Sequence, residues 1–525
     1  MLDFIIIDST LWLKLIIISL ASLITFYFLK IWNSYQFFKK RGIKTPVYRF
    51  FWGNNLELTS NSNYSDVILN WTKTYGKTYG YYEGHQPIIV TSDLEIIQEV
   101  FLKQSSNFSG RKKQILNRND DAPDHMLFSA SRSRWKTMRN IMNPTFSSAK
   151  LKELAPLLIK CTDRMNEIMI KKTETSISIS EYFKRFTMDS IWNCAFGIDT
   201  DIQKNVKNEY FDRCEAMFTF LAKPKLLDFL LSYLHEFQPF VLEFLTLMQK
   251  VMSNLIDFSR INPSVWFVNH VFEIVETRKK QTFRKKDYLQ LLLDAESDSQ
   301  DKIVDDYIGN SFEKKANSSL KIKRTLMLFM FAGYETTSTT LTYASFILAN
   351  YQEEQQKMYE LIKFEFNSEE DINPESVQKI EYLDWFIKEV LRIYPIVNAA
   401  VGRRCTKSTL VKGIDIPEDT VIMVDVMSLH FDPELWGPVD PNEFYPPRHE
   451  VKRNPLAFMA FGNGPRNCIG MKFAMLELKI ALCKLLLNVE FFPSSNTPKN
   501  LELTEIFVRR PKSAFEILIK RRINP

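Results

Sequence analysis

Cysteine is scarce in this 525-residue chain, with six residues scattered over positions 161, 194, 214, 405, 468 and 483. None forms a C-x-x-C or a paired His/Cys spacing, which argues against a zinc site or a disulfide framework and fits a reducing compartment. Pro/Gly/Ser-rich linkers, internal repeats and low-complexity tracts are also missing. Length alone would allow about two to four domains, but without linkers one large domain behind a short anchor is expected. Charge of one sign is not in excess. A formal net charge of +6 is too mild for a nucleic-acid binder. A dinucleotide loop is absent too, because Gly462-x-Gly464 is followed by Asn467 where a third glycine is needed. What is present in quantity is apolar: 45% hydrophobic residues and 41 phenylalanines, enough for a large core with an aromatic-lined pocket.

One apolar run is long. Leu15 to Leu29 carries no charge, and extended back to Leu11 it can cross a bilayer core at roughly 1.5 Å per residue over about 30 Å. Asp3 and Asp8 precede it, unlike the basic start of a cleaved signal peptide. Lys30, Lys39, Lys40, Arg41 and Lys44 follow it, so by the positive-inside rule the rest of the chain is cytosolic. The expected division is an anchor over residues 1–34 and a catalytic domain over 35–525. Four N-x-S/T sequons (Asn63, Asn70, Asn107, Asn317) would matter only in the secretory lumen.

Short strands are expected at Lys77–Tyr82 and Gln86–Thr91, and from about 94 to 400 apolar spacing is mainly helical. Strand-like alternation returns at Leu410–Val426 and in the last thirty residues. Residues 217–256 are rich in Phe and Leu, but Lys223, Lys225, Asp228, His235, Glu236 and Glu243 interrupt them too often for a second span. Core helices and a membrane-dipping lid both remain open there.

Between Phe461 and Gly470 the chain reads Phe-Gly-Asn-Gly-Pro-Arg-Asn-Cys-Ile-Gly, followed by a helical pattern over Met471–Leu487. A helix N-terminus, freed backbone N–H groups and a nearby arginine all favour a thiolate at Cys468. Glu389 and Arg392 share a helix face at i and i+3, which alone is most often a surface ion pair. Ala332-Gly-Tyr-Glu-Thr-Thr337 puts a glycine, an acid and alcohols inside an apolar helix, Leu320–Ala349, where they weaken helical geometry.

Phe461-x-x-Gly464-x-Arg466-x-Cys468-x-Gly470 resembles the haem-thiolate signature of the cytochrome P450 family. The segment around Glu335 and Thr336 is similar to that of its vertebrate 3A steroid- and drug-oxidising clan. The resemblance runs from about residue 35 to 520. It implies a mainly α fold with small β-sheets, the cytochrome P450 fold, behind an N-terminal transmembrane helix. It implies haem b with Cys468 as axial thiolate and metal ligand. Trp135, Arg139, Arg403, Phe461 and Arg466 would bind the cofactor, with Arg404 the register rival of Arg403. Glu335 and Thr336 would relay protons to dioxygen. Glu389, Arg392 and Arg448 would form a structural lock, although Pro447 and His449 depart from the family's usual residues. The function implied is a monooxygenase acting on a lipophilic substrate, with NADPH electrons from a separate cytochrome P450 reductase and from cytochrome b5, at the endoplasmic reticulum membrane. Lys136, Lys452, Arg453, Lys472 and Lys479 are candidate docking cations. The rivals are an isomerase or dehydratase acting on lipid peroxides without a reductase, and a haem-binding sensor. Lys112–Phe128, 217–256, Leu326–Thr336, Ile396–Val401 and Glu505–Val508 are candidate pocket segments.

Overall fold

The computed structural model describes residues 2–60, 63–113, 126–130, 132–222, 235–252, 263–300, 311–505 and 507–522. It opens with a helix, Leu2–Ser34, whose stretch Leu11–Ser34 has a mean hydropathy of 2.0 and is long enough to cross a membrane. Most of that stretch is exposed, but its inner end is docked. Ile31 and Tyr35 are buried in the body. Tyr27 Oη donates to Glu236 at 3.3 Å, Lys30 pairs with the same carboxylate at 3.0 Å, and His85 Nε2 donates to it at 2.8 Å.

Thr78–Glu83 and Gln86–Thr91 pair antiparallel across a two-residue turn in which Gly84 takes a φ of +60°. Val421–Val424 adds in parallel, and Gly402–Arg404 closes the four-stranded sheet antiparallel with Arg403 opposite Ile422. Thr175–Ser178, Glu516–Arg521 and Val489–Pro493 make a second sheet. Leu503–Glu505 and Arg509–Pro511 form a separate hairpin. Most of what remains is helical, with irregular loops between the helices.

The centre of the body is the 40-residue helix Ser311–Asn350, packed along Ile179–Phe196. Its middle carries a ladder of back-bonded hydroxyls: Thr336 to Ala332, Ser338 to Tyr334, Thr340 to Thr336 and Thr342 to Ser338, each at the fourth preceding carbonyl. Such bonds compete with the helix's own and loosen it locally. Gly333 permits close packing, since a Cβ there would meet Ile191 at 3.2 Å.

Core helices are not what Gln238–Met252 turns out to be. Phe240, Phe244, Leu247 and Val251 recur at helical spacing and are all exposed. At the start of that region the core-helix alternative holds: Met217, in the helix Glu209–Ala222, is buried and Phe218 packs against the core. Residues 223–234 and 253–256 lie outside the described residues, as do 114–125 and Ile506 among the expected pocket segments.

The helix Met471–Asn488 is buried almost all round and includes three buried charged-type residues, Glu477, Lys479 and Lys484. The lysines have acids, Asp384 at 3.1 Å and Asp163. Glu477 has none. Burial pushes its pKa up to about 8, partly offset by the Ser190 and Thr337 hydroxyls. An unfolded chain would ionise this group near about 4.3, so between there and pH 8 unfolding releases a proton and stability falls as pH rises. Glu477→Gln is therefore expected to raise stability at pH 7 by about 2 to 4 kcal/mol and to change little at pH 4. Thermal denaturation at the two pH values checks this. A gain independent of pH would contradict it.

Candidate functional site

Phe461–Gly470 forms a tight loop because two of its glycines adopt the left-handed backbone, with φ of +65° at Gly462 and +72° at Gly464. No side chain fits at Gly464, where a Cβ would lie 2.1 Å from the Phe101 carbonyl oxygen. Asn463 accepts from the Gly464 N–H at 2.7 Å, and the Cys468 N–H donates to the Phe461 carbonyl at 2.8 Å. The Phe461 side chain packs against the main core. The loop thus delivers Cys468 to the start of the helix Met471–Asn488.

Burial pushes the Cys468 thiol up, while the Gly470 N–H, Arg139, the Met471 N–H and Arg111 each pull it down. These are the helix-terminus donors and cations that a thiolate needs. The other five cysteines are buried, yet Cys468 is accessible. In the long helix Ala332 is likewise exposed.

Arginines gather beside this loop. Arg139 donates to the Asn467 carbonyl and side-chain oxygens, both at 2.8 Å. Arg403 donates to the Asn463 carbonyl at 2.8 Å and lies 4.1 Å over the Phe101 ring. Arg466 donates to the Ala130 carbonyl at 2.8 Å, and its guanidinium sits 5.0 Å over the Trp135 ring. Arg404, the register rival, points away and pairs with Asp419.

The structure adds Arg111 to this group. It donates to the Ala400, Gly402 and Arg466 carbonyls. In the sequence it opens the run Arg111-Lys112-Lys113, which reads as a solvated charge run. The signal lay in Gly110, which bridges to Arg404 and brings Arg111 under the sheet. Arg111, Arg139 and Arg403 meet no carboxylate among the described residues. Burial lowers the pKa of all three: Arg111 to about 10, with Arg139 adding to the effect, Arg139 by less, and Arg403 strongly, pressed further by Arg111 and Arg466. Buried cations of this kind call for an anion. Nε atoms of Arg111 and Arg139 are buried without a partner among the described residues. Haem, with two propionates, fits this donor set.

The lock is fully assembled. Glu389 accepts from Arg392 Nε and Nη2 and from Arg448 Nε, each at 2.8 Å, and from the Tyr445 N–H at 3.0 Å. His449, a departure from the family pattern, joins it by donating Nε2–H to Glu389 at 3.0 Å. Burial works against the carboxylate, but Arg392, His449 and the Tyr445 N–H hold its pKa down at about 2. His430 extends the lock toward the cysteine loop. Its Nε2 accepts the Met459 N–H at 2.9 Å, so Nδ1 carries the proton donated to the Arg392 carbonyl at 3.0 Å.

Glu335 and Thr336 sit one step apart on the long helix. Thr336 Oγ1 donates to the Ala332 carbonyl at 2.5 Å. The Glu335 carboxylate pairs with Arg510 at 2.6 Å. Burial raises its pKa, Arg510 and Lys184 lower it, and Glu215 raises it again.

Two of the five candidate docking cations are not surface charges. Lys479 is buried against Asp384 and Gln378, and Arg453 spends its guanidinium on the Arg448, Leu435 and Gly437 carbonyls. Both tie helices or loops together. Lys136, Lys452 and Lys472 are exposed.

The profile of the family described as Cytochrome P450 matches residues 44–517. Among curated proteins the chain is 32% identical over 499 residues to Cytochrome P450 3A29 of Sus scrofa, covering 91% of each chain. It is 31% identical over 491 residues to Cytochrome P450 3A2 of Rattus norvegicus, covering 90% of each. Similarity to Cytochrome P450 3A31 of Mesocricetus auratus is 30% over 491 residues and 91% of each chain. With the profile spanning nearly the whole body and relatives matching end to end, the chain belongs to the cytochrome P450 family of haem-thiolate monooxygenases.

Proposed function

We propose that the protein inserts one atom of dioxygen into a lipophilic substrate, using NADPH electrons passed through a separate reductase, with cytochrome b5 as a second donor. The observation that carries this reading is the single accessible cysteine at a helix N-terminus, beside the half-buried Arg111 and Arg139 and the buried Arg403, which meet no carboxylate among the described residues. Cys468 would hold the haem iron through its thiolate. Arg111, Arg139, Arg403 and Arg466 would hold the propionates, and Trp135 and Phe461 would pack against the cofactor. Haem with a thiolate ligand supplies O–O cleavage and oxygen-atom transfer when bound.

The chain's own residues supply position and protons. The Glu389 lock fixes the segment leading into the loop, so the sulfur is placed before the cofactor arrives. Thr336, on a helix turn loosened by back-bonding, holds a hydroxyl where a proton is handed on. Glu335 replenishes it. An acid and alcohol pair of this kind is superfluous for a lipid-peroxide isomerase, which consumes no protons from a relay.

The anchor, residues 1–34, places the body, residues 35–525, on the cytosolic side of the endoplasmic reticulum membrane. Phe240, Phe244, Leu247 and Val251, with the exposed Val47, Phe50 and Trp52, form a second contact with lipid. Lys136, Lys452 and Lys472 offer charge to an acidic redox partner.

Reconstitution with reductase, NADPH and a panel of lipophiles tests the reading. Oxygen-dependent product is expected from the wild type. Thr336→Ala is expected to keep its haem while product per NADPH falls about tenfold or more and peroxide rises. Turnover of a lipid hydroperoxide, with no oxygen-dependent product from any compound, would favour the isomerase instead.

A further inference from the structure

A row of oxidisable side chains runs from the functional turn of the long helix to the surface. Tyr334, two residues before Thr336, is buried, and its Oη donates to the Glu215 carboxylate. Its ring lies 4.8 Å from that of Phe218. Phe218, Cys214 and Tyr210 recur at four-residue steps on the helix Glu209–Ala222 and so share a face. That stripe spans about 12 Å, at roughly 1.5 Å per residue. Trp192, fully buried on the helix Ile179–Phe196, packs edge-on to Tyr210 at 4.9 Å. It also stands beside Cys214: burial pushes that thiol up, and the Trp192 indole pulls it down. The outer end belongs to a third helix, Pro263–Lys280, where Trp266 and His270 stack at 5.0 Å. Their rings lie 6.4 and 5.4 Å from Tyr210, and both are partly exposed.

Proton handling sets this row apart from plain aromatic packing. A phenol gives up an electron readily only when its proton has somewhere to go. Tyr79 and Tyr343 donate to backbone carbonyls, which cannot take a proton. Tyr334 donates to a carboxylate, and Tyr210 Oη meets His270 Nε2 at 3.3 Å. His270 Nδ1 faces Glu273 at 3.8 Å, which places the ring proton on Nδ1 and leaves Nε2 to accept. Glu215 is paired with Lys184 at 3.2 Å and stays within reach of water.

We infer that Tyr334, Trp192 and Tyr210, with Cys214 between them, form an electron path that refills the haem site when it is oxidised without a substrate. The inference rests on haem being held at Cys468. Hydrogen peroxide is the oxidant, and a soluble thiol is the final donor. At the haem one peroxide takes two electrons and two protons and leaves as two waters. For each electron, Tyr334 gives one inward while its phenolic proton passes to Glu215. An electron from Trp192 restores Tyr334, which takes its proton back. Tyr210 then restores Trp192, with His270 keeping the phenolic proton until the thiol restores Tyr210. Two thiols lose two electrons and two protons and join as a disulfide, so the exchange balances and no residue ends changed. Tunnelling falls off steeply with distance, so short steps between neighbouring rings outrun one jump to solvent. Without the path those electrons are drawn from the cofactor and its ligand, and the site is lost.

Peroxide added to full-length, haem-loaded protein without substrate tests this. Paramagnetic resonance of freeze-quenched wild type is expected to show a tyrosyl radical that Tyr210→Phe removes. Trp192→Phe keeps a ring in the core but not an oxidisable one. It is expected to cut that radical at least fivefold and to shorten the half-life of the Soret band at least threefold. Tyr334→Phe, which loses one hydroxyl, is expected to do the same. Added thiol is expected to lengthen the half-life in wild type at least threefold and in neither variant. Unchanged radical yield and half-life in both variants overturn the inference. So does equal protection of all three proteins by thiol, which would leave these residues a packing role only. Should Trp192→Phe not fold, a nitrone spin trap on wild type decides. Adducts at Tyr210 or Trp266 are required, and adducts confined to other residues overturn the inference. The carbon monoxide band separates this path from the haem reading. If wild type lacks the band, haem ligation by Cys468 falls and the path with it. If the band is present and no radical reaches Tyr210, only the path is lost.

Discussion

Cys468→Ser is expected to abolish the red-shifted Soret band of the reduced carbon monoxide complex and, with it, all monooxygenation, while the polypeptide fold survives. The substitution removes one polarisable atom at an accessible position and leaves every lock contact in place. What disappears is the anion. Burial raises the thiol's pKa, and the Gly470 and Met471 N–H groups, Arg139 and Arg111 work against that rise, but no such set brings a serine hydroxyl into the range where it ionises. Without a thiolate, the electron donation that favours O–O cleavage is lost. The carbon monoxide difference spectrum of purified variant checks this. Persistence of the band would mean that another sulfur is the ligand, and the remaining cysteines are all buried, so that outcome would overturn the site as a whole.

Glu389→Gln is expected to yield almost no haem-loaded protein. Five N–H groups converge on this one carboxylate. A glutamine offers one acceptor oxygen and turns an NH₂ toward donors that previously met the other, and Arg392 and Arg448 are left as buried charges without a counter-charge. Breaking one side of a buried pair costs about 3 to 5 kcal/mol, against a total of about 5 to 15 for a typical domain. Haem content per protein and the thermal midpoint measure the loss. The lock also makes an acid-limb prediction. With a folded pKa near about 2 and an unfolded value near about 4.3, the Glu389 contribution is intact above the latter and is lost as pH falls toward the former. Glu477 works in the opposite direction, so the two acids bracket the pH range of greatest stability from either side.

The N-terminal apolar helix, the cysteine loop and the Glu389–Arg392–Arg448 cluster were legible because each depends on local spacing: an uncharged run, glycines around a cysteine, an acid and a base on one helix face. Residues whose roles depend on distant partners were not. Arg111 reads as one of three successive surface cations, and only its burial beside Arg139 and Arg403 reveals another use. Lys479 reads as a docking charge because its partner Asp384 belongs to a different helix. Arg510 is separated from Glu335 by 175 positions, and no pattern within the hairpin announces their contact. His449 stood as a break in the family pattern, whereas in space it contributes another donor to the carboxylate. Charge in a sequence looks solvated by default, and topology decides which charges are not.

Glu236 offers a consequence of another kind. Lys30 and Tyr27 of the anchor and His85 of the first hairpin meet on this one carboxylate, immediately before Gln238–Met252. The N-terminal apolar helix and that apolar segment therefore share a mechanical joint, and neither can swing far without pulling a charged cluster apart. Were the helix set in a bilayer as proposed, a thickness that changed its tilt would bear on the body through this one carboxylate.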